Sequence, residues 1–297
     1  MSADAARAEP AVGAAGAGCR LCGARDAAPL FEKTGWTFVA CRGCGLVSLD
    51  PLPTPAELAR HHEASYRDGG YAGFAAADAV RTAIAEDRLA RLRPLAPAGP
   101  WLDVGCSTGA FVAAAARAGL VAEGLEVSSV AVEAARARGL TIHHGAVEDF
   151  APAAPLAVVT AFDVIEHLPD PVGFARRVRP WLQPDGLLAM TLPNIASVAA
   201  RVMGRQWFYY AAPDHVHYFT PATIRRVLEE AGFTRIEVAS ATKPLTLDYA
   251  TEQLARMTPA LGPLARALQA VTPRGLRRHC WPLPIGEMLV TAHPARS

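Results

Sequence analysis

Long hydrophobic runs are missing from this chain of 297 residues, although 51% of its residues are hydrophobic. A helix needs roughly 20 consecutive apolar residues to cross a bilayer, and the chain has no such run. Its first 18 residues are rich in alanine and glycine but have neither a basic start nor a leucine-rich middle, so we expect no secretory signal. We therefore predict a protein without a membrane span, located in the cytoplasm.

Net charge is also scarce, because 29 Lys and Arg residues balance 28 Asp and Glu residues, leaving a formal charge of +1. Proteins that bind polyanions over a wide surface need a surplus of Lys and Arg. The balance therefore favours a small-molecule acceptor over a nucleic acid as the partner. For the oligomeric state we expect a monomer or a homodimer.

Cysteine is the third scarce component, and four of the six cysteines fall within 26 residues. They form two Cys-x-x-Cys pairs separated by 18 residues, and each pair is followed by a glycine that lets the backbone turn. Two such turns supply four thiolates, the tetrahedral set that structural Zn²⁺ prefers. Two disulfides, which a cytosolic compartment disfavours, or a redox pair are the alternatives. The predicted zinc ligands are Cys19, Cys22, Cys41 and Cys44.

The rest of the chain has the pattern of an α/β protein. From Trp101 onward, short apolar runs alternate with helical segments, which is typical of β-α-β units around a parallel sheet. We predict a Rossmann-like, seven-stranded, mostly parallel sheet with a small N-terminal zinc ribbon and a helical cap insertion. The predicted boundaries are a disordered tail at 1–18, the zinc ribbon at 19–50, a linker and helical segment at 51–94, and the α/β domain at 95–297 with its cap at 243–284.

A glycine-rich loop follows the first apolar run of the α/β domain and leads into a helix. Gly105 allows a ligand to approach the backbone, and Gly109 allows the helix to begin close to the strand. A dinucleotide-binding fold has a similar loop. Here, however, Asp103 precedes the turn, where it would repel a pyrophosphate but could receive an ammonium group. Glu126 ends the second run, where it could accept both hydroxyls of a ribose, so the pattern favours a cationic adenosine ligand without phosphates.

Five motifs follow one another along this domain: Asp103-Val-Gly-Cys-Ser-Thr-Gly109, Leu125-Glu126-Val-Ser, His144-Gly-Ala-Val-Glu-Asp149, Asp163-Val-Ile-Glu-His-Leu-Pro-Asp-Pro171 and Leu182-Gln-Pro-Asp-Gly186. In this order they resemble the motifs of class I S-adenosylmethionine-dependent methyltransferases, over about 95–240. The resemblance is greatest to the branch with the ubiquinone-biosynthesis O-methyltransferases. The cysteine module, which continues as Cys-Gly-Leu-Val-x-Leu-Asp-Pro, resembles the zinc-binding front end of sugar C-methyltransferases.

The resemblance implies S-adenosylmethionine as the cofactor. The glycine loop would hold its methionine end, Glu126 its ribose and the turn around Val147 its adenine, while Phe162 and Asp163 would border the sulfonium. The cofactor-binding residues implied in this way are Asp103, Gly105, Cys106, Ser107, Gly109, Glu126, Val127, Val147, Glu148, Phe162 and Asp163.

Methyl transfer from a sulfonium is an in-line displacement, so the enzyme aligns donor and acceptor and removes a proton from the acceptor. Histidine is the usual base near neutral pH. The segment 213–220 resembles the acid–histidine pair that precedes a helix start in sugar C-methyltransferases. The resemblance favours His215 as the base, with Asp214 beside it and His217 as a further candidate. The alternative is that His215 and His217 alternate on a short strand and pack beneath the helix start.

A second histidine set is formed by Asp163, Glu166 and His167. Similar sets bind Mg²⁺ in some related O-methyltransferases, although the first position here is the shorter Asp. The alternative, which we favour, is a helix start that supports the cofactor pocket without a metal. His167 remains a catalytic candidate in either case.

The favoured function is S-adenosylmethionine-dependent O-methylation of a small molecule, such as a sugar, a glycolipid precursor or a secondary metabolite, with a histidine base. C-methylation of a nucleotide sugar is the alternative that the acid–histidine pair keeps open. RNA methylation guided by the zinc ribbon is disfavoured by the balanced charge. A cofactor-binding partner without catalysis is disfavoured by the intact motifs.

Overall fold

A computed structural model describes residues 18–67, 78–251 and 262–295. The predicted disordered tail lies outside the described residues except for Gly18, and so does the middle of the predicted cap, 252–261. Among the described residues, no helix is both long enough and apolar enough to cross a membrane.

The cysteine module forms a small antiparallel sheet that includes one strand from far along the chain. Its own strands are β1 (Ala27–Lys33), β2 (Trp36–Cys41) and β3 (Val47–Asp50). The fourth strand, β9 (His217–Tyr218), pairs with β3, so the order is β1-β2-β3-β9.

The main sheet has seven strands in the order β10-β11-β8-β7-β4-β5-β6. All neighbouring pairs from β8 to β6 are parallel, and only β11 runs against its neighbours. The strands are β4 (Trp101–Val104), β5 (Ala122–Glu126), β6 (Ile142–His144), β7 (Leu156–Phe162), β8 (Leu182–Pro193), β10 (Phe233–Thr246) and β11 (Cys280–Pro294). This architecture confirms the predicted fold class.

Helices cover the sheet, and local capping explains where several of them begin. At the start of the helix 129–136, the side chain of Ser128 accepts a hydrogen bond from the backbone of Ala131. At the start of the helix 221–230, Thr220 precedes Pro221 and forms a capping box with Thr223. The helices are α1 (Pro55–Arg67), α2 (Asp78–Leu92), α3 (Ala110–Arg117), α4 (Ser129–Arg136), α5 (Pro171–Val178), α6 (Val198–Met203), α7 (Pro221–Glu230), α8 (Gly262–Val271) and α9 (Arg274–Arg278).

The core lies on both faces of the sheet. One cluster packs α5 and α7, through residues such as Phe174 and Val227, while another packs α2 and α3, through Leu89 and Phe111. Every residue of β7 is buried, as expected for a central parallel strand. The carboxyl ends of β4, β5 and β7 therefore meet at one sheet edge, where α/β folds bind ligands.

Strands replace both ends of the predicted helical cap. Lys243 pairs with Leu283 and Thr246 with Cys280, so β10 and β11 continue into the predicted cap 243–284 from both of its ends. Prolines 282 and 284 count against a strand in the sequence, but this part of β11 has a partner on one side only, where proline is tolerated. Described helix remains at 247–251, in α8 and in α9.

Candidate active site

A cavity of about 290 Å³ opens at the carboxyl ends of the central strands. This volume is at the lower end of ligand pockets, which begin at about 300 Å³. The structure brings eight of the predicted site residues to its wall: Gly105, Glu126, Val127, Val147, Glu148, Asp163, His167 and Asp214. Predicted cofactor residues and predicted catalytic residues therefore share one cavity.

The glycine loop has a left-handed backbone at three positions. The φ angles are 68° at Gly105, 49° at Ser107 and 77° at Gly109. A Cβ on Gly105 would lie 2.6 Å from Val164 Cγ2, and one on Gly109 would lie 2.5 Å from Leu140 Cδ1. Both glycines are therefore required by backbone conformation and by close packing.

Glu126 organises this loop from the end of β5. One carboxylate oxygen accepts a hydrogen bond from the Ser107 amide at 2.8 Å, and the other accepts one from the Ser128 amide at 2.9 Å. Burial raises the pKa of Glu126, while these two amides oppose the shift. Each oxygen can still accept a second hydrogen bond, which suits a vicinal diol.

Three other predicted cofactor residues lie behind the cavity wall. Asp103 is buried in β4 and accepts a hydrogen bond from Thr160 Oγ1 at 2.7 Å; burial raises its pKa to about 7. The Cys106 side chain packs beneath the loop with Val112 and Val132, so only its backbone follows the loop. Phe162 is buried below the guanidinium of Arg88, which lies 4.4 Å from its ring centre.

Asp163 is part of a partly buried charge cluster that sequence reasoning did not detect. Its carboxylate accepts hydrogen bonds from Arg88 at 2.7 Å and Lys243 at 3.4 Å, and Lys243 also pairs with Glu287. Burial alone would raise the pKa of Asp163, but Lys243 and Arg88 hold it below its ordinary value. The cluster joins α2, β10 and β11 to the end of β7, so no local motif indicates it. The signal in the sequence was Glu287, a charged residue directly before the apolar run 288–290.

A second cluster contains Glu166, His167 and His215. They offer ligand atoms that all lie within 4.8 Å of one another, and the two imidazole centres are 4.7 Å apart. Within the described residues, neither buried carboxylate oxygen of Glu166 has a hydrogen-bond partner. Burial and the nearby charge of Asp163 raise the pKa of Glu166. In this set His215 therefore replaces the predicted Asp163.

The two imidazoles have the same orientation toward the backbone. His167 Nδ1 donates to the carbonyl of Asp214 at 2.7 Å, and His215 Nδ1 donates to the carbonyl of Tyr209 at 2.9 Å. A carbonyl can only accept, so each neutral ring carries its proton on Nδ1 and its lone pair on Nε2. The lone pair is the part of the ring that can accept a proton or bind a metal.

The other two predicted catalytic residues have different contacts. Asp214 does not orient His215, since its carboxylate lies 2.8 Å from His61 Nε2 and is 44% exposed. His217 is fully buried between Ser48 and the carbonyl of Pro169, and burial lowers its pKa to about 4. A buried, neutral imidazole of this kind is a poor candidate for a base.

The four clustered cysteines meet at one point of the N-terminal module. Cys19 Sγ lies 3.5 Å from Cys44 Sγ, and Cys22 Sγ lies 3.5 Å from Cys41 Sγ. All four sulfurs lie within 4.8 Å of one another. Zn–S bonds of about 2.3 Å in a tetrahedron place sulfurs roughly 3.8 Å apart, so this set fits a zinc ion.

Comparisons with known proteins agree with this geometry. A family model described as a methyltransferase domain matches residues 76–238. The ubiquinone biosynthesis O-methyltransferase of Thiobacillus denitrificans is 30% identical over 166 residues, which cover 51% of this chain and 72% of that protein. Its counterpart in Haemophilus ducreyi is 31% identical over 132 residues, covering 40% of this chain and 56% of the relative.

A solved structure has the same fold. It is a SAM-dependent methyltransferase from Thermotoga maritima, described as a possible histamine N-methyltransferase, with a TM-score of 0.53 and 15% identity over 78% of this chain and 98% of that one. The family match spans more than half of the chain and the strand order is that of the predicted class. The chain therefore belongs to the methyltransferase domain family, with the class I fold of S-adenosylmethionine-dependent methyltransferases.

Proposed function

We propose that this methyltransferase acts on a hydroxyl group of a small-molecule acceptor, a sugar, a glycolipid precursor or a secondary metabolite, with a histidine as the base. The cavity is the observation that carries the proposal. Gly105, Glu126, His167 and Asp214 all line it. A methyl donor held at Gly105 and Glu126 would thus share the cavity with an acceptor held near His167.

S-adenosylmethionine supplies an activated methyl group when it is bound. Glu126 would accept hydrogen bonds from the ribose hydroxyls, and Glu148 with Val147 would border the adenine. The buried carboxylate of Asp103 would attract the ammonium group through the loop. Asp163, which Arg88 and Lys243 hold in place, would border the sulfonium.

His215 would remove the proton of the acceptor hydroxyl. Its Nδ1–H donates to the Tyr209 carbonyl, which leaves the lone pair on Nε2. His167 lies beside it with the same protonation pattern, and its Nδ1–H donates to the Asp214 carbonyl. His167 lines the cavity itself, and His215 is buried behind it, next to the lining residue Asp214.

Glu166 favours a second candidate mechanism. A carboxylate without a donor among the described residues, next to two imidazole lone pairs, is a suitable ligand set for a divalent cation. Such a cation would lower the pKa of an acceptor hydroxyl, and Glu166, His167 and His215 would hold it. In that case His215 is a ligand and not the base.

Binding of S-adenosylhomocysteine, measured by calorimetry, tests the cofactor assignment. Glu126→Ala should weaken the affinity at least about tenfold, because one carboxylate accepts from the ribose and also organises the loop. Glu133→Ala, which removes an exposed glutamate from α4, is the matched control and should bind like the native protein. Equal affinities in the two variants would refute the ribose assignment.

Transfer of a labelled methyl group to a panel of sugars, phenols and lipid-linked glycans tests the reaction. Mass spectrometry of the product identifies the methylated atom. His215→Ala should lower kcat at least about a hundredfold, whereas His293→Ala, on β11, should not. Loss of activity on chelation, restored by Mg²⁺ while zinc stays bound, would instead support the cation mechanism.

A further inference from the structure

The N-terminal cysteine module shares a strand with the domain that carries the histidines. Ser48 pairs with His217 and Val47 with Tyr218, so β9 completes the sheet of the module. The module is also packed onto the main core, because Leu21 and Leu46 are buried in the same cluster as Phe219. The N-terminal module thus contributes to the packing behind His167 and His215.

Two hydrogen bonds of His217 connect strand β3 of the module to the 165–169 turn. Its Nε2 lies 3.3 Å from the carbonyl of Pro169, and its Nδ1 lies 2.8 Å from Ser48 Oγ. Because a carbonyl only accepts, Nε2 carries the proton in the neutral ring, and Nδ1 accepts the hydroxyl proton of Ser48. His217 therefore has the opposite tautomer to His167 and His215.

The backbone next to His217 also connects β3 to the 165–169 turn. The amide of Val216 donates to the carbonyl of Glu166 at 2.8 Å, and the carbonyl of Val216 accepts from the Leu49 amide at 3.0 Å. Tyr218 Oη donates to the carbonyl of His215 at 2.8 Å. β3 is thereby connected through residue 216 to the turn that carries His167.

We infer that Ser48 and His217 are positioning residues, which set the placement of His167 and His215 by joining strand β3 of the cysteine module to the 165–169 turn. This inference rests on the proposed function for the two histidines. It gives the module a part in assembling the active site. The fit of the four cysteines to zinc supports it, since Cys41 ends β2 and Cys44 lies just before β3.

Ser48→Ala is the informative variant, because it leaves all four cysteines in place, and Ser48→Thr is its matched control. In ¹⁵N spectra of the histidine side chains, the native protein should show the Nε2–H tautomer for His217 and the Nδ1–H tautomer for His167 and His215. In Ser48→Ala we expect the His217 signal to become a mixture and both other signals to shift. Ser48→Thr should restore the native pattern.

Amide hydrogen exchange supplies a second measurement. The amides of Leu49 and Val216 should exchange about tenfold faster in Ser48→Ala, while amides in β5 keep their native rates. A purely stabilising role would lower the Tm of Ser48→Ala but leave the His167 and His215 signals unchanged, and that result would overturn the inference. Unchanged exchange at residue 216 would do the same.

Zinc content and cofactor affinity separate this inference from the proposed function. Every variant should keep one zinc per chain and bind S-adenosylhomocysteine with native affinity, because Ser48 lies outside the cavity wall. If the native protein failed to bind S-adenosylhomocysteine, the proposed function would fall, whereas the tautomer and exchange measurements would still decide the positioning role.

Discussion

Two carboxylates in the cavity wall, those of Glu126 and Asp163, are held by partners at very different distances along the chain. Glu126 accepts hydrogen bonds from the amide of Ser128, two residues away, and from that of Ser107, nineteen residues away. Asp163 is bound by Arg88 across 75 positions and by Lys243 across 80. The first arrangement can be recognised as a motif, whereas the second exists only when the fold is complete.

The partly buried charge cluster around Asp163 gives the largest expected effect. Lys243→Met would leave Glu287, which is 2% exposed, without its cation, and removing one partner of a buried pair costs about 3 kcal/mol of unfolding free energy. Denaturant unfolding measures the loss. Arg91→Met, which breaks an exposed pair with Asp87, is the control and should cost about 0.5 kcal/mol or less. Equal losses would mean that the cluster is not an integrated network.

A substitution in the glycine loop should weaken cofactor binding. In Gly105→Ala the new methyl group meets Val164 at a backbone angle that disfavours side chains, a strain of about 2 kcal/mol. Since Val164 lines the cavity, affinity for S-adenosylhomocysteine should fall roughly thirtyfold. Gly139→Ala has a similar φ of 78° and open space around the new atom, so it should keep native affinity.

The protonation of Asp103 predicts a pH dependence. Its folded pKa of about 7 exceeds the ordinary 3.8, so the free energy of unfolding should fall as pH rises from about 4 to about 7. Affinity for the ammonium group of S-adenosylhomocysteine should rise about tenfold between pH 6 and pH 8, as the carboxylate ionises. Asp103→Asn should remove the slope in affinity and reduce the slope in unfolding free energy, to which Glu126 and Glu166 also contribute because burial raises their pKa values. A slope in affinity that persists in this variant would assign it to another group.

The smallest effect is expected for Asp214→Asn. Its carboxylate pairs with His61 at the surface, and exposed pairs contribute about 0–1 kcal/mol. The backbone carbonyl that accepts from His167 is unchanged by the substitution. Turnover should therefore stay within about threefold of native. A loss comparable to that of His215→Ala would restore the acid–histidine pair that the sequence predicts.

The sequence predicted the parts of the molecule that depend on nearby residues. The seven-stranded sheet, the glycine loop and the clustering of Cys19 with its three partners all follow from short-range patterns. Thr220 before Pro221 likewise predicts the start of α7. A short stretch of sequence specifies such features, because backbone conformation and local hydrogen bonds determine them.

The sequence could not show which distant groups would meet. It placed Asp163 with Glu166 and His167, but Arg88 and Lys243 hold Asp163, and His215 joins the set instead. It also paired Asp214 with His215 as chain neighbours. Which carboxylate meets which cation depends on the order of strands in the sheet, and no local pattern specifies that order.

The strand shared by the two sheets has a consequence for folding during synthesis. Ser48 and His217 are separated by 169 positions, so the ribosome produces the N-terminal module long before its fourth strand. Until then β3 has an open edge, with the apolar side chains of Val47 and Leu49 uncovered. The nascent module thus carries an aggregation-prone edge that only the arrival of β9 closes.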